Sequence, residues 1–130
     1  MSMHFDHTGL ATDDAASLAT LYADLFDTHV AHEETFDGMK VVFLSLGNGY
    51  VELLEPLDAE GAIATYLDDN GPGIHHVAVA TDDIQGALDR ARSLDISLID
   101  EEPRSGAWGH DVAFLHPADT GGILVEFVHH

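Results

Sequence analysis

Much of the first half of this chain is written again in the second half. The run FDHTGLATDD returns 69 positions later as IHHVAVATDD, so His7 aligns with His76. Near the end of each copy VEL aligns with VEF, so Glu52 aligns with Glu126. The chain therefore contains two copies of one unit of about 65 residues, each carrying one His and one Glu at matching places.

Each copy shows the pattern of one strand, one helix and three strands. Short apolar or alternating runs predict the strands, and apolar residues at helical spacing predict the helices. Asp13 or Asp14 is a suitable N-cap for the first helix. The first copy predicts strands over 5–12, 29–36, 39–46 and 49–55 and a helix over 14–26; the second predicts strands over 74–81, 96–101, 111–116 and 122–128 and a helix over 83–94.

The two helices each have an apolar face that is expected to pack on a sheet. These faces consist of residues spaced three or four apart. They are Leu18, Leu21, Tyr22 and Leu25 in the first helix, and Ala87, Leu88, Ala91 and Leu94 in the second.

A short helix over residues 60–70 is predicted to link the copies, because Ile63, Tyr66 and Leu67 share one side and the turn sequence NGPG follows. Module one spans about 4–57, the linker about 58–72 and module two about 73–130. Either module alone would leave a sheet face and an edge uncovered. We therefore expect one α+β domain over 1–130, in which two tandem βαβββ modules form a curved half-barrel.

The charge balance excludes one large class of partners. The chain has 24 acidic residues against 4 Lys and Arg, a formal net charge of -20. Nucleic-acid binding needs clustered basic residues, so nucleic acid is not expected as a partner. Self-repulsion of this size is relieved in molar salt, where charges are screened within about 3 Å. We interpret the composition as that of a halophile protein; an acidic mesophile protein is the alternative.

The chain lacks the features of a secreted or membrane protein. It has no cysteine, which excludes disulfides and thiolate metal ligands. It shows no stretch of 18 apolar residues and no charged-then-apolar leader at its N-terminus. We expect a cytoplasmic protein without contact to a membrane.

The residues that the repeat singles out share one face of the predicted sheet. In the first strand of each module the bulky apolar residues alternate with His7 or His76, so both imidazoles point away from the helices. Glu52 and Glu126 lie in apolar strands, where an unpaired carboxylate is costly to bury. Two imidazoles and two carboxylates suit a divalent first-row ion. We predict a central metal site formed by His7, Glu52, His76 and Glu126, holding Co, Mn, Ni, Fe or Zn.

The modules also carry a family resemblance. The paired βαβββ pattern resembles the vicinal oxygen chelate superfamily, which includes glyoxalase I and the extradiol dioxygenases. Within it, the segments LGNGYVELLEPL, GIHHVA, EEPRSG, FLHP and GGILVE are similar to the methylmalonyl-CoA epimerase family. The resemblance covers nearly the whole chain. Its metal ligands match the same four residues, His7, Glu52, His76 and Glu126.

The resemblance implies a reaction and a substrate. A divalent cation would stabilise an enolate while the 2-carbon of an acyl-CoA substrate is deprotonated and reprotonated, which interconverts (R)- and (S)-methylmalonyl-CoA. Glu126 and Glu52 are the candidate bases, and a homodimer is expected. Two alternatives stay open: a glyoxalase-type lyase or isomerase acting on another chelating substrate, and a non-catalytic protein of the same fold that binds a small molecule.

The chain departs from the family pattern at two places. Some bacterial members carry a second catalytic Glu where this chain has Val41, and Ala118 replaces a Lys that usually follows His-Pro. Among the few basic residues, Arg104 is the best candidate for binding the substrate. Glu33 and Glu34 are interpreted as solvated acids.

Three terminal histidines and the single Trp complete the set of candidate residues. His4, His129 and His130 are expected to be solvated because they lie near the chain ends. Trp108 lies in a glycine-flanked loop, where it lines the mouth of a pocket or packs on the protein body.

Overall fold

The computed structural model describes residues 2–130 and contains both predicted modules. By the packing of its Cα atoms the chain divides into two compact units: His7–His75, and His76–His130 together with the residues up to Asp6. The strands are β1 (Met3–Ala11), β2 (Val30–Phe36), β3 (Met39–Ser45), β4 (Tyr50–Pro56), β5 (Gly73–Thr81), β6 (Arg104–Ser105), β7 (Asp111–Leu115) and β8 (Val125–His129), and the helices are α1 (Ala15–Leu25), α2 (Ala62–Asn70) and α3 (Ile84–Ser93). Each module is therefore βαβββ, as the repeat predicts.

The first unit places its strands in the order β2-β3-β4-β1, with β1 parallel to β4 and the other pairs antiparallel. Successive side chains alternate between the two faces of the sheet. One face packs against α1 in a core formed by Ala15, Ala19, Val42, Leu44 and Leu53. The opposite face carries His7 and Glu52.

The second unit repeats this arrangement with the order β5-β8-β7-β6, and β5 is parallel to β8. Its core lies between the sheet and α3 and contains Ile84, Leu88, Ala91, Ala113 and Leu115.

The N-termini of α1 and α3 are capped in the same way, so the repeat extends to the helix caps. The side chain of Asp14 accepts a hydrogen bond from the Ser17 N–H (3.0 Å), and its counterpart Asp83 accepts one from the Gly86 N–H (2.9 Å). Each carboxylate satisfies a backbone donor that a helix start leaves without an internal partner. Asp14, one of the two predicted caps, is the cap observed.

The predicted strand over 96–101 is wrong. Its segment forms only an isolated bridge between Leu98 and Leu115, and the edge strand of the module is the two-residue β6. Two carboxylates satisfy backbone donors that are not paired with backbone here: the Asp100 side chain accepts from the Phe114 N–H (2.9 Å), and Asp119 accepts from the Ser97 N–H (2.8 Å). The Ser97 N–H lowers the pKa of Asp119, because its hydrogen bond stabilises the charged carboxylate.

The predicted helix faces are correct only in part. Ala87, Leu88 and Ala91 are buried, whereas Leu21, Leu25 and Leu94 are 55%, 67% and 64% exposed. In α1 the buried residues are Ala15 and Ala19, and the predicted Leu18 and Tyr22 pack against the same core while partly buried. Leu25 and Leu94 lie at the C-terminal ends of their helices, beyond the core that those helices cover.

The linking helix α2 belongs to the first unit. It buries Ile63 and is followed by its C-cap residue Gly71, which has a positive φ of 74°. Tyr66 fixes the start of β5, because its hydroxyl donates to the Ile74 carbonyl (2.8 Å). No helix among the described residues is long and apolar enough to cross a membrane.

We expect two leucines from one predicted helix face to differ sharply in their contribution to stability. Leu88→Ala removes a side chain that is 0% exposed and should lower the free energy of unfolding by about 2–5 kcal/mol. Leu94→Ala is the matched control and should change it by about 0.5 kcal/mol or less. Urea unfolding in molar KCl measures both values, and equal losses would contradict the packing described here.

Candidate functional site

The first predicted His and Glu form a contact inside the first unit. His7 lies on β1 and Glu52 on the parallel neighbour β4, where Glu52 is opposite Gly9. The His7 Nε2 atom lies 3.2 Å from the Glu52 Oε1 atom, and the residues are only 4% and 6% exposed. We call His7 with Glu52 the first pair.

The second predicted His and Glu form the same contact inside the second unit. His76 lies on β5 and Glu126 on β8, where Glu126 is opposite Ala78. The His76 Nε2 atom lies 3.1 Å from the Glu126 Oε1 atom, and the residues are 4% and 5% exposed. We call His76 with Glu126 the second pair. The two pairs agree in strand positions, atoms and distance.

A phenylalanine supports the imidazole of each pair from the neighbouring strand. Phe43 meets His7 edge-on, with 5.8 Å between ring centroids and 84° between ring planes. Phe114 meets His76 in the same way, at 5.6 Å and 83°. Each ring comes from the residue opposite the pair's glutamate, since Phe43 faces Glu52 across β3 and β4 and Phe114 faces Glu126 across β7 and β8. Edge-to-face contacts of this kind fix ring orientation.

Both phenylalanines were overlooked as parts of the site, although the sequence contained a signal. They align with each other in the repeat, in the segments MKVVFL and HDVAFL. That alignment alone does not show which residue contacts a histidine, because the contact depends on the register of the strands.

The donor atoms fit a divalent cation. Buried His7, Glu52 and His76 are residues that could hold a metal ion. An ionised carboxylate buried to this extent is costly unless it is paired or coordinates a metal, and imidazole with carboxylate is a common ligand set for first-row divalent ions. At these three residues the protein would contribute two imidazoles and the carboxylate of Glu52.

A further charged or polar pair lies beside each phenylalanine. In the first unit His32 Nε2 lies 3.2 Å from Glu34 Oε1, and the His32 ring is 6.3 Å from that of Phe43. In the second unit the Arg104 guanidinium lies 5.5 Å from the Phe114 ring centroid and donates to Asp100 at 2.9 Å.

Of the two additional contacts beside the phenylalanines, only the one made by Arg104 involves a residue that was predicted to belong to the site. Arg104 is half-exposed and lies next to the phenylalanine that supports the second pair. The contact between His32 and Glu34 was missed.

The remaining residues considered in the sequence lie outside the first pair and the second pair. Val41 is fully buried on β3, opposite Glu34. Glu33 is exposed and forms an ion pair with Lys40 at 3.7 Å. Ala118 is exposed in a short 3₁₀ turn.

The C-terminal aromatic residues form a stack within the second unit. Trp108 stacks on His110, and His110 stacks on His130 with 4.0 Å between their ring centroids. His130 bonds to the buried carboxylate of Asp6, a contact that was not predicted, while its own side chain is 43% exposed, as expected for a solvated residue. His4 and His129 are exposed as predicted.

Comparison with known proteins identifies the family. Residues 6–114 match the model of the glyoxalase/bleomycin resistance protein/dioxygenase superfamily. The chain belongs to this superfamily. The human mitochondrial methylmalonyl-CoA epimerase is 36% identical over 124 residues, which are 93% of this chain and 70% of the human protein. An ethylmalonyl-CoA/methylmalonyl-CoA epimerase of Cereibacter sphaeroides is 36% identical over 125 residues, 93% of each chain.

A solved structure agrees with the fold over almost the whole chain. It is a methylmalonyl-CoA epimerase in complex with methylmalonyl-CoA and NH4+, with a TM-score of 0.93 and 31% identity; the match covers 99% of this chain and 95% of that one. The prediction of an α+β fold of the vicinal oxygen chelate type is therefore confirmed.

We expect a divalent metal ion to stabilise the folded protein, because the ion would bind to buried imidazoles and carboxylates. Adding Co²⁺ at about 100 times its dissociation constant should stabilise the metal-free protein by about 2.7 kcal/mol, and a chelator should reverse the effect. His7→Ala should remove this increment, whereas His4→Ala, an exposed histidine on the same strand, should retain it. Thermal unfolding measures the increment within each variant; an equal increment in both variants would contradict the site.

Proposed function

We propose that this chain is a methylmalonyl-CoA epimerase that interconverts (R)- and (S)-methylmalonyl-CoA. The observation that carries the proposal is the pair of buried His–Glu contacts at equivalent places in two modules, at 3.2 and 3.1 Å. They occur in a chain that is 36% identical to curated epimerases over 93% of its length. The chain would act as one domain.

We propose further that both pairs hold a single divalent ion through His7, Glu52, His76 and Glu126. When bound, the ion supplies a Lewis acid for the oxygens of the acyl-CoA substrate. The proposed ion is Co, Mn, Ni, Fe or Zn. The protein's part is to hold the donor atoms: the edge-on phenylalanines keep both imidazoles oriented toward their glutamates.

Proton transfer is assigned to the glutamates. Epimerisation requires that a base remove the C2 proton and that a proton return to the opposite face of the carbon. Glu126 is the proposed base, and Glu52 is its counterpart by the symmetry of the repeat. Both are buried, so few waters screen the charge that their carboxylates present to the substrate.

Substrate binding is assigned to Arg104. The substrate is an anion and the chain has a net charge of -20, so a cation at the site opposes a general repulsion. Arg104 is half-exposed and is held by Asp100 and by the face of Phe114. Its position beside the phenylalanine of the second pair supports binding of the substrate's carboxylate or phosphate groups.

One observation favours a second candidate within the enzyme class. Ala118 departs from the family pattern that the sequence resembles, in which a Lys follows His-Pro, and only four Lys and Arg are present in all. A glyoxalase-type lyase or isomerase acting on a less anionic chelating substrate would need fewer cations. A metal-free binding protein is a weaker candidate, because it would have no use for two buried carboxylates.

The assembly and location of the protein are proposals of the same kind. The strand β2 pairs with β3 at the edge of its unit, and such an edge is suited to pairing with a second copy. We propose a homodimer, and a cytoplasmic location in keeping with the absence of cysteine.

Deuterium exchange tests the reaction and the base together. Metal-loaded protein incubated with one epimer of methylmalonyl-CoA in deuterated high-salt buffer should form the other epimer with deuterium at C2. Glu126→Gln should slow this by about 100-fold or more, because removing a general base costs about 10²–10⁴ in rate. Glu102→Gln is the control and should have little effect, since Glu102 is exposed.

Metal content is measured in every variant, so that a lost ion is not mistaken for a lost base. If wild-type protein produced neither deuterium at C2 nor the second epimer, the proposed function would be wrong.

A further inference from the structure

The pair formed by His32 and Glu34 is the strongest feature that the proposed reaction does not yet use. Both residues lie on β2, two positions apart, with His32 Nε2 at 3.2 Å from Glu34 Oε1. Residues two apart on a strand point to the same side of a sheet. The carboxylate can therefore orient the imidazole, as carboxylates do for catalytic histidines.

Strand register places this pair on the same face as the first metal-binding pair. His32 lies opposite Phe43 across β2 and β3, and Phe43 lies opposite Glu52 across β3 and β4. Side chains at directly opposite positions share a face. The Phe43 ring contacts both imidazoles, at 5.8 Å from His7 and 6.3 Å from His32. His32 is thus one aromatic ring away from His7, all within the unit His7–His75.

Exposure separates the two pairs by the role each can play. The side chains of His7 and Glu52 are 5% and 8% exposed, which suits ligands enclosed by the protein. The side chains of His32 and Glu34 are each 28% exposed, so a bound substrate can reach them. Imidazole exchanges protons near neutral pH, and this is what proton transfer to and from carbon requires.

We propose that His32, oriented by Glu34, is the second proton-transfer group of the epimerase. The inference rests on the proposed function and gives to His32 the second proton transfer, which the symmetry of the repeat alone would give to Glu52. In one direction the Glu126 carboxylate takes the C2 proton and the C–H electron pair enters the enolate. The His32 imidazolium then gives its proton to the opposite face of C2, and a new C–H bond forms. In the other direction His32 takes the proton and Glu126 returns it, and both groups are reset by exchange with water.

The role of His32 as the second proton-transfer group is consistent with two features of the chain. Val41, the fully buried neighbour of Glu34 on β3, can transfer no proton, and the acid–base pair lies one strand further out. Glu52 is then left to bind the metal, and the second proton transfer belongs to His32.

The test separates proton exchange from inversion at C2. In deuterated buffer His32→Gln should slow inversion by about 100-fold or more. It should still incorporate deuterium into the epimer whose C2 hydrogen faces Glu126, because that base is intact. Glu34→Gln should slow inversion less, since the imidazole remains. Glu33→Gln is the matched control: Glu33 is the adjacent residue, exposed and paired with Lys40, and inversion should be unchanged.

The possible results test the role of His32 separately from the proposed epimerase activity. Inversion by His32→Gln at the wild-type rate would overturn the role of His32 alone. A parallel loss of inversion and of exchange from both epimers would also overturn it, because that result indicates a binding or folding role. Wild-type protein that neither exchanges nor inverts would overturn the proposed function and this inference with it.

Discussion

The structure depends on two buried contacts between an imidazole and a carboxylate, one in each module. Neither His7 with Glu52 nor His76 with Glu126 is more than 6% exposed. Removing the histidine from such a pair is costly, because it leaves a buried carboxylate without its partner. The strands around each pair are arranged to avoid that cost. The first strand of each module lies parallel to the last, which places the His and the Glu at the same distance in both modules.

The two modules agree at these pairs and differ at their outer edges. In the first, β2 is a seven-residue strand that carries His32 and Glu34. In the second, the equivalent edge is the two-residue β6, where Asp100 bonds both to the Phe114 N–H and to Arg104. A symmetric ligand set suits a metal ion, which has no handedness of its own. The substrate is asymmetric, and the residues proposed to handle it, Arg104 and His32, lie where the modules have diverged.

The repeat made much of this predictable from the sequence. Aligning the two halves was enough to single out His7, Glu52, His76 and Glu126, and the alternation of bulky and small residues placed both histidines away from the helices. The segment over 96–101 was not predictable, because carboxylate side chains there satisfy backbone donors that a strand would otherwise pair. The exposed Leu25 and Leu94 follow the helical spacing but lie beyond the cores that their helices cover.

The acidic composition made the contact between His32 and Glu34 hard to predict. In a chain with 24 acidic residues, one more Glu has almost no weight as a signal. Glu33 and Glu34 are adjacent and look alike in sequence, yet alternation along β2 places Glu33 beside Lys40 and Glu34 beside His32. Only the register of β2 against β3 reveals that His32 and Phe43 are opposite each other.

Metal stoichiometry shows whether the two equivalent His–Glu pairs bind one ion together. Equilibrium dialysis of metal-free protein against Co²⁺ should give one tightly bound ion per chain. His76→Ala should abolish tight binding altogether, even though the first pair remains intact. Two ions per chain in the wild-type protein, or a tightly bound ion retained by His76→Ala, would show that each pair binds independently and would contradict the account.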